Sequence, residues 1–167
     1  RLLNTTKMYV DDQEVKPVDP CFASPGMKGY EDEMNNLTVQ DDDYHEMTRE
    51  IKDDEGNTHE IQIRWSKLHP LFAVRNDSDE TDIEQAVIKG KIKRTPDTKS
   101  FRWKVMNQNH GLIFRRLGRR MDVVKNIRGG RSFSNNNARY WKCEINFPPV
   151  LDEHFAVNTS KQQIIPD

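Results

Sequence analysis

The sequence is short of the residues that would make several answers easy. It has two cysteines in 167 residues, Cys21 and Cys143. A framework of disulfides is therefore excluded, and a reducing compartment is the expectation. Apolar residues make up only 34%, and no apolar run approaches the length of a membrane-crossing helix. The expected setting is intracellular: cytoplasmic, or nuclear in a eukaryote. Metal spacing is missing too. His45, His59, His69, His110 and His154 are scattered, with no i,i+4 pair and no Cys-x-x-Cys beside them. Asp41-Asp42-Asp43 and Asp53-Asp54-Glu55 lack the alternation of a calcium loop and read as solvated turns. No metal site is expected in this chain.

Nucleotide and hydrolase signatures are likewise absent. Gly129-Gly130-Arg131-Ser132 lacks the lysine and the spacing of a phosphate loop, and no Gly-x-Ser-x-Gly elbow occurs. Four Asn-x-Ser/Thr sequons, at Asn4, Asn36, Asn76 and Asn158, read as chance in an Asn-rich chain.

What is present is a polarised chain of net charge −1. Residues 1–80 carry 9 Lys/Arg against 19 Asp/Glu, and residues 81–167 carry 17 against 8. Such a chain can hold its halves together or offer a basic surface to an anion.

Periodicity then supplies three hairpins. Residues 7–16 read as strand, turn and strand around Asp11-Asp12-Gln13, with Met8, Val10 and Val15 on the arms. Tyr44–Lys52 and His59–Leu68 pair across a turn at Asp53–Asn57. In the second arm Ile61, Ile63 and Trp65 face inward, while Gln62, Arg64 and Ser66 face water. Gly111–Lys125 forms the third, turning at Leu117-Gly118-Arg119. Arg115, Arg116, Arg119 and Arg120 crowd its tip and, with Phe101, Arg102, Trp103 and Lys104 nearby, would suit a nucleic-acid backbone. The bland alternative is a solvated hairpin or a counterpart to the acidic half.

Between hairpins, residues 21–43 and 70–100 read as long loops or insertions, with one or two helical turns in Ile83–Ile92 limited by Gly90 and Pro96. Asn126–Asn137 reads as a mobile loop. The expected fold is α+β: one domain over 1–167, mostly antiparallel sheet with few helices.

The last ordered pattern is Arg139–Phe147. Trp141, Cys143, Ile145 and Phe147 share one face; Tyr140, Lys142, Glu144 and Asn146 share the other, wet one. Pro148-Pro149 stops the strand and opens a short helix in which Val150, Leu151 and Phe155 share a face. Asn158-Thr159-Ser160 ends that helix and Lys161-Gln162 follows on a loop.

From Ala138 to Gln162 this pattern, Ala-Arg-Tyr-Trp-Lys-Cys-Glu-Ile-Asn-Phe-Pro-Pro-Val-Leu-Asp-Glu-His-Phe-Ala-Val-Asn-Thr-Ser-Lys-Gln, resembles the second domain of ATPases of the gyrase, heat-shock-chaperone, histidine-kinase and mismatch-repair (GHKL) type. The similarity extends to the microrchidia (MORC) proteins and bacterial MORC-like or mismatch-repair-like ATPases. Met8–Pro20 and Gly111–Arg120 add weaker matches, and together the segments cover about half the chain.

The resemblance implies a ribosomal-protein-like transducer domain with a left-handed β-α-β crossover. It implies that Lys161 reaches the γ-phosphate of ATP held with Mg2+ by a preceding ATPase domain, with Gln162 beside it. It further implies a parent acting on DNA or chromatin and an ATP-gated homodimer. The Asp-Gly-Gly and Glu/Asn magnesium motifs of such an ATPase domain do not occur in this sequence. The fragment alone is thus expected to bind no cofactor and to catalyse nothing. Arg1 in place of a starting Met, and an end at Asp167 soon after the lysine loop, fit a piece of a longer protein. The rival readings are a stand-alone nucleic-acid module on the basic hairpin and a purely structural interaction domain. No membrane partner is expected.

Overall fold

The computed structural model describes residues 7–30, 44–76, 82–127, 131–132 and 136–155. It is an α+β domain, mostly antiparallel sheet with two α-helices. The first hairpin, β1 (Met8–Val10) and β2 (Gln13–Val15), turns on Asp11 and Asp12 alone, at φ 49° and 61°. Two successive positive φ values are the signature of the tight turn whose twist matches its strands, and aspartate tolerates them. All six strand residues of this hairpin are exposed.

The main sheet has five strands in the order β3-β4-β9-β5-β6. Strands β3 (Tyr44–Lys52) and β4 (Thr58–Lys67) form the long second hairpin. Its turn is closed by Asp53, whose Oδ1 accepts from the backbone N–H of Glu55 at 3.0 Å and of Asn57 at 2.8 Å. Strands β5 (Leu112–Arg116) and β6 (Arg119–Val124) form another, turning on Leu117 and Gly118, both at positive φ. Arg119 is therefore the first residue of β6. The short pair β7 (Asn126–Ile127) and β8 (Arg131–Ser132), followed by a 3-10 helix at Asn136–Tyr140, gives regular structure to parts of the expected mobile loop.

Strand β9 (Trp141–Phe147) is the last in sequence and the middle one in space. It runs antiparallel to β4 and parallel to β5. Both α-helices lie between β4 and β5 in sequence; because β9 is antiparallel to β4 and parallel to β5, those two strands run antiparallel to each other with β9 between them. The parallel pair β5/β9 is reached through β6, β7, β8 and the 3-10 helix.

Helix α1 (Ile83–Ile88) is capped by Asp82, whose Oδ1 accepts from Gln85 N, and α2 (Phe101–Gln108) by Ser100, whose Oγ accepts from Trp103 N. Of the expected insertions the described parts, 21–30, 70–76 and 82–100, contribute to a packed core, while residues 31–43 and 77–81 lie outside the described residues. Phe22, Leu68, Leu71, Phe72, Ala73, Val74, Ile83, Ala86, Ile92, Val105 and Met106 form one continuous core. Segments 21–30, 70–76 and 82–100 are thus a packed layer on one face of the sheet.

A second core lies on the other face: Ile61, Phe114, Val124, Phe147 and Leu151, with Phe155 stacked on Phe147 at 4.4 Å. Leu151 belongs to the 3-10 turn Pro149–Leu151. Val150, expected on the same apolar face, points out at 52% exposure. A three-residue turn of tighter pitch does not keep neighbouring residues on one side.

Candidate functional site

Part of the polar rows of β4 and β9 is not wet, although Gln62 is exposed as expected and Asn146 is half-buried. Lys142 is 0% exposed, Glu144 4% and Ser66 0%. This corrects the alternation read from the sequence, because the polar face meets the α2 layer and the segment around Asp19 instead of water. Burial of charges demands partners, and they are present. Arg64 Nε donates to Glu144 Oε1 at 2.8 Å, and Arg64 Nη2 donates to Asp19 Oδ1 at 2.8 Å. Arg115 Nη1 donates to both oxygens of Glu144, at 3.2 and 3.3 Å. Burial opposes the charge on Arg64, yet the hydrogen bond to Glu144 and the charges of Cys21, Asp19 and Glu144 hold its pKa above its ordinary value. Asp19 also accepts from the backbone of Cys21, Ala23 and Ser24, so the same carboxylate shapes the 19–24 turn.

Both cysteines are free and buried. Burial raises the Cys21 thiol well above its ordinary value and pushes Cys143 up to about 11.

The basic tip is divided by its partners. Arg115 belongs to Glu144, and Arg116 Nε donates to Asp152 Oδ1 at 2.7 Å. Arg119 and Arg120 are exposed, and no ion-pair partner is found for either among the described residues. The four arginines are therefore not one cationic patch: two are structural ties and two face solvent.

Beside them lies a cavity of about 710 Å³ between α2, the β5–β6 hairpin and the Val18–Pro20 segment. Its walls include Phe101, Val105 and Ile113; its cations are Lys104, Arg115, Arg119 and Arg120. The sequence reading grouped Lys104 with the basic tip but placed neither it nor Asn109 at a cavity, because α2 was not recognised as a helix. Its buried face carries Arg102, which breaks the apolar stripe that would have marked it. Arg102 is accommodated by stacking its guanidinium 4.4 Å from the Phe72 ring centre.

Lys161 and Gln162 lie outside the described residues. Their mount is described as far as Phe155. β9 is hydrogen-bonded on both sides, Pro148 stops it, Leu151 is fully buried, and the Arg116–Asp152 ion pair ties the turn to β5. Among the described residues no group of His, Cys, Asp and Glu is arranged to hold a metal, and no helix is long and apolar enough to cross a membrane. Comparison with protein-family models, with curated proteins and with solved structures finds no match for this chain.

Proposed function

We propose that this chain is the transducer domain of a GHKL-type ATPase, passing the state of a nucleotide in a preceding domain to the rest of the protein. The observation that supports the reading is the anchoring of β9. A central strand clamped between β4 and β5 runs directly into a turn locked by Leu151 and by the Arg116–Asp152 ion pair. A rigid rod that ends in such a lock suits a loop whose displacement has to move a whole sheet.

In this reading the ammonium of Lys161 meets the terminal phosphoryl oxygens of ATP, and Gln162 sits beside it. Lysine suits the task as a compact charge on a long stem. Bound Mg-ATP would supply the charged terminal phosphate. In this reading nucleotide and metal are held by the preceding domain. Loss of the terminal phosphate removes the lysine's partner and frees the loop. DNA or chromatin as the parent's substrate, and an ATP-gated homodimer, belong to the same proposal.

The test is Lys161→Ala in the full-length protein that includes the ATPase domain. ATP turnover should fall by at least ~100-fold with the fold intact, since one charge contact to a developing anion is worth several kcal/mol. Unchanged turnover would remove the reading.

A further inference from the structure

We propose that the cavity between α2 and the β5–β6 hairpin binds a small organic phosphate of nucleotide size. Its volume of about 710 Å³ lies within the range of ligand sites, and its walls combine apolar surface with a few polar groups. Three features select the ligand.

The first is uncompensated positive charge. Lys104, Arg119 and Arg120 line the cavity and are exposed, and no ion-pair partner is found for them among the described residues. The one acid in the lining, Glu144, is already shared by Arg64 and Arg115. The hairpin register adds to this: Arg115 sits opposite Arg120, and Arg116 opposite Arg119. Like charges directly across a ladder are unfavourable. Glu144 relieves Arg115 and Asp152 relieves Arg116; an anion at the cavity mouth would relieve Arg120, the member of the Arg115 pair without an acid of its own among the described residues. A phosphate monoester carries between one and two charges at neutral pH on three acceptor oxygens. It matches three separate cations better than a single carboxylate does.

The second feature is a pair of unmatched polar atoms on lining residues. Asn109 is 3% exposed; its Nδ2 donates to Val105 O at 2.8 Å, which fixes the orientation of the amide. Among the described residues no hydrogen-bond partner is found for the buried Asn109 Oδ1 or for the buried Arg115 Nε. Native proteins rarely leave such atoms unmatched. Both atoms are closed to the cavity as the side chains stand; a shift of the Asn109 or Arg115 side chain on binding would let a ligand's N–H or O–H donor and an acceptor satisfy them.

The third is the apolar wall of Val18, Phe101 and Leu117, which calls for a flat or apolar body. A phosphate at one end, a donor and an acceptor in the body, and an apolar face together describe a nucleoside monophosphate or a molecule of equivalent chemistry.

The experiment is calorimetric titration of this chain with adenosine 5′-monophosphate, adenosine, inorganic phosphate and decanoate. Adenosine 5′-monophosphate should bind one per chain, and adenosine and phosphate at least ~10-fold more weakly. Arg119→Ala/Arg120→Ala should weaken binding by ~10-fold or more, as should Lys104→Glu. All three positions are exposed, so the fold survives, and an unchanged circular dichroism spectrum checks it. Lys93→Ala, exposed and outside the cavity, should leave the affinity unchanged. The proposal fails if adenosine 5′-monophosphate shows no saturable binding up to about 1 mM. It fails if decanoate binds and the nucleotide does not, which would assign the cavity to carboxylates. It fails also if Arg119→Ala/Arg120→Ala and Lys104→Glu leave the affinity unchanged, which would move the site out of the cavity.

Discussion

Lys142 Nζ donates to Met106 O at 2.7 Å and to Asn109 O at 3.1 Å, so a fully buried ammonium on the central strand caps the C-terminal end of α2. Carbonyls at a helix end lack intrahelical partners and attract a cation. One side chain thus fastens the helical layer to the sheet.

The location makes stability pH-dependent. Burial pushes the Lys142 pKa from 10.5 down to about 7, with Cys21 pulling upward and the like charge of Arg139 adding to the downward push. Between about 7 and 10.5 the unfolded chain holds the proton and the folded chain does not. The unfolded state then binds more protons, so stability rises with pH across that window, by up to ~1.4 kcal/mol per pH unit. Urea unfolding at pH 7, 8 and 9 should show this rise, and Lys142→Met should flatten it. An equal slope in the variant would assign the dependence elsewhere.

Glu144 holds two arginines. Glu144→Gln removes the charge that compensates Arg64 and Arg115 while keeping the shape. Breaking one partner of a buried ion pair costs ~3–5 kcal/mol. Denaturant midpoints of Glu144→Gln, Asp19→Asn and the double variant should reveal coupling of about 1 kcal/mol or more, because both carboxylates act on Arg64. Strict additivity would show that the two are independent.

Gly111 has φ +137°, and a Cβ there would lie 2.4 Å from Val124 O. Backbone cannot yield as a side chain tip can, so Gly111→Ala should destabilise by ~3 kcal/mol or more. Gly56, at φ +87° with nothing within 4 Å, is the control. Gly56→Ala should cost only ~1–2 kcal/mol, the left-handed penalty alone. Similar losses at both positions would rule out the clash.

Asp53 sits in the β3–β4 turn with Oδ2 2.7 Å from His59 Nε2. That hydrogen bond leads the interactions that lower its pKa from 3.8 to about 2. The stabilising contribution is complete above about 3.8 and fades as pH falls toward 2. A carboxyl-detected NMR titration should place the Asp53 midpoint near 2, and His59→Gln should move it upward. No movement would remove His59 as the cause.

The hairpins were legible because each alternates and each turn carries Asp, Asn or Gly at a position that needs unusual φ. Strand β9 was legible for the same reason. Its environment was not: Lys142 and Glu144 alternate with apolar residues just as wet positions do, and only the fold reveals that a second layer covers them. Residues 70–100 were read as loose because their apolar residues, Leu71, Phe72, Val74, Ile83 and Ile92, follow no single period. They pack through turns and a six-residue helix, where neither 2 nor 3.6 applies. The arginine tip was legible as charge, whereas its division depended on Glu144 and Asp152, 29 and 36 residues away in sequence.

The position of β9 has a consequence for how the molecule is made. The hairpins β3–β4 and β5–β6 close over short turns and can form early. The sheet stays in two pieces until residues 141–147 enter between them. Two long-range pairings, to β4 and to β5, are completed by one late insertion, and such non-local closure is slow. Until it happens β4 and β5 each present an open ladder edge to neighbouring chains. Molecules that fail to insert β9 should therefore be lost to aggregation, which makes this strand the point at which folding yield is decided.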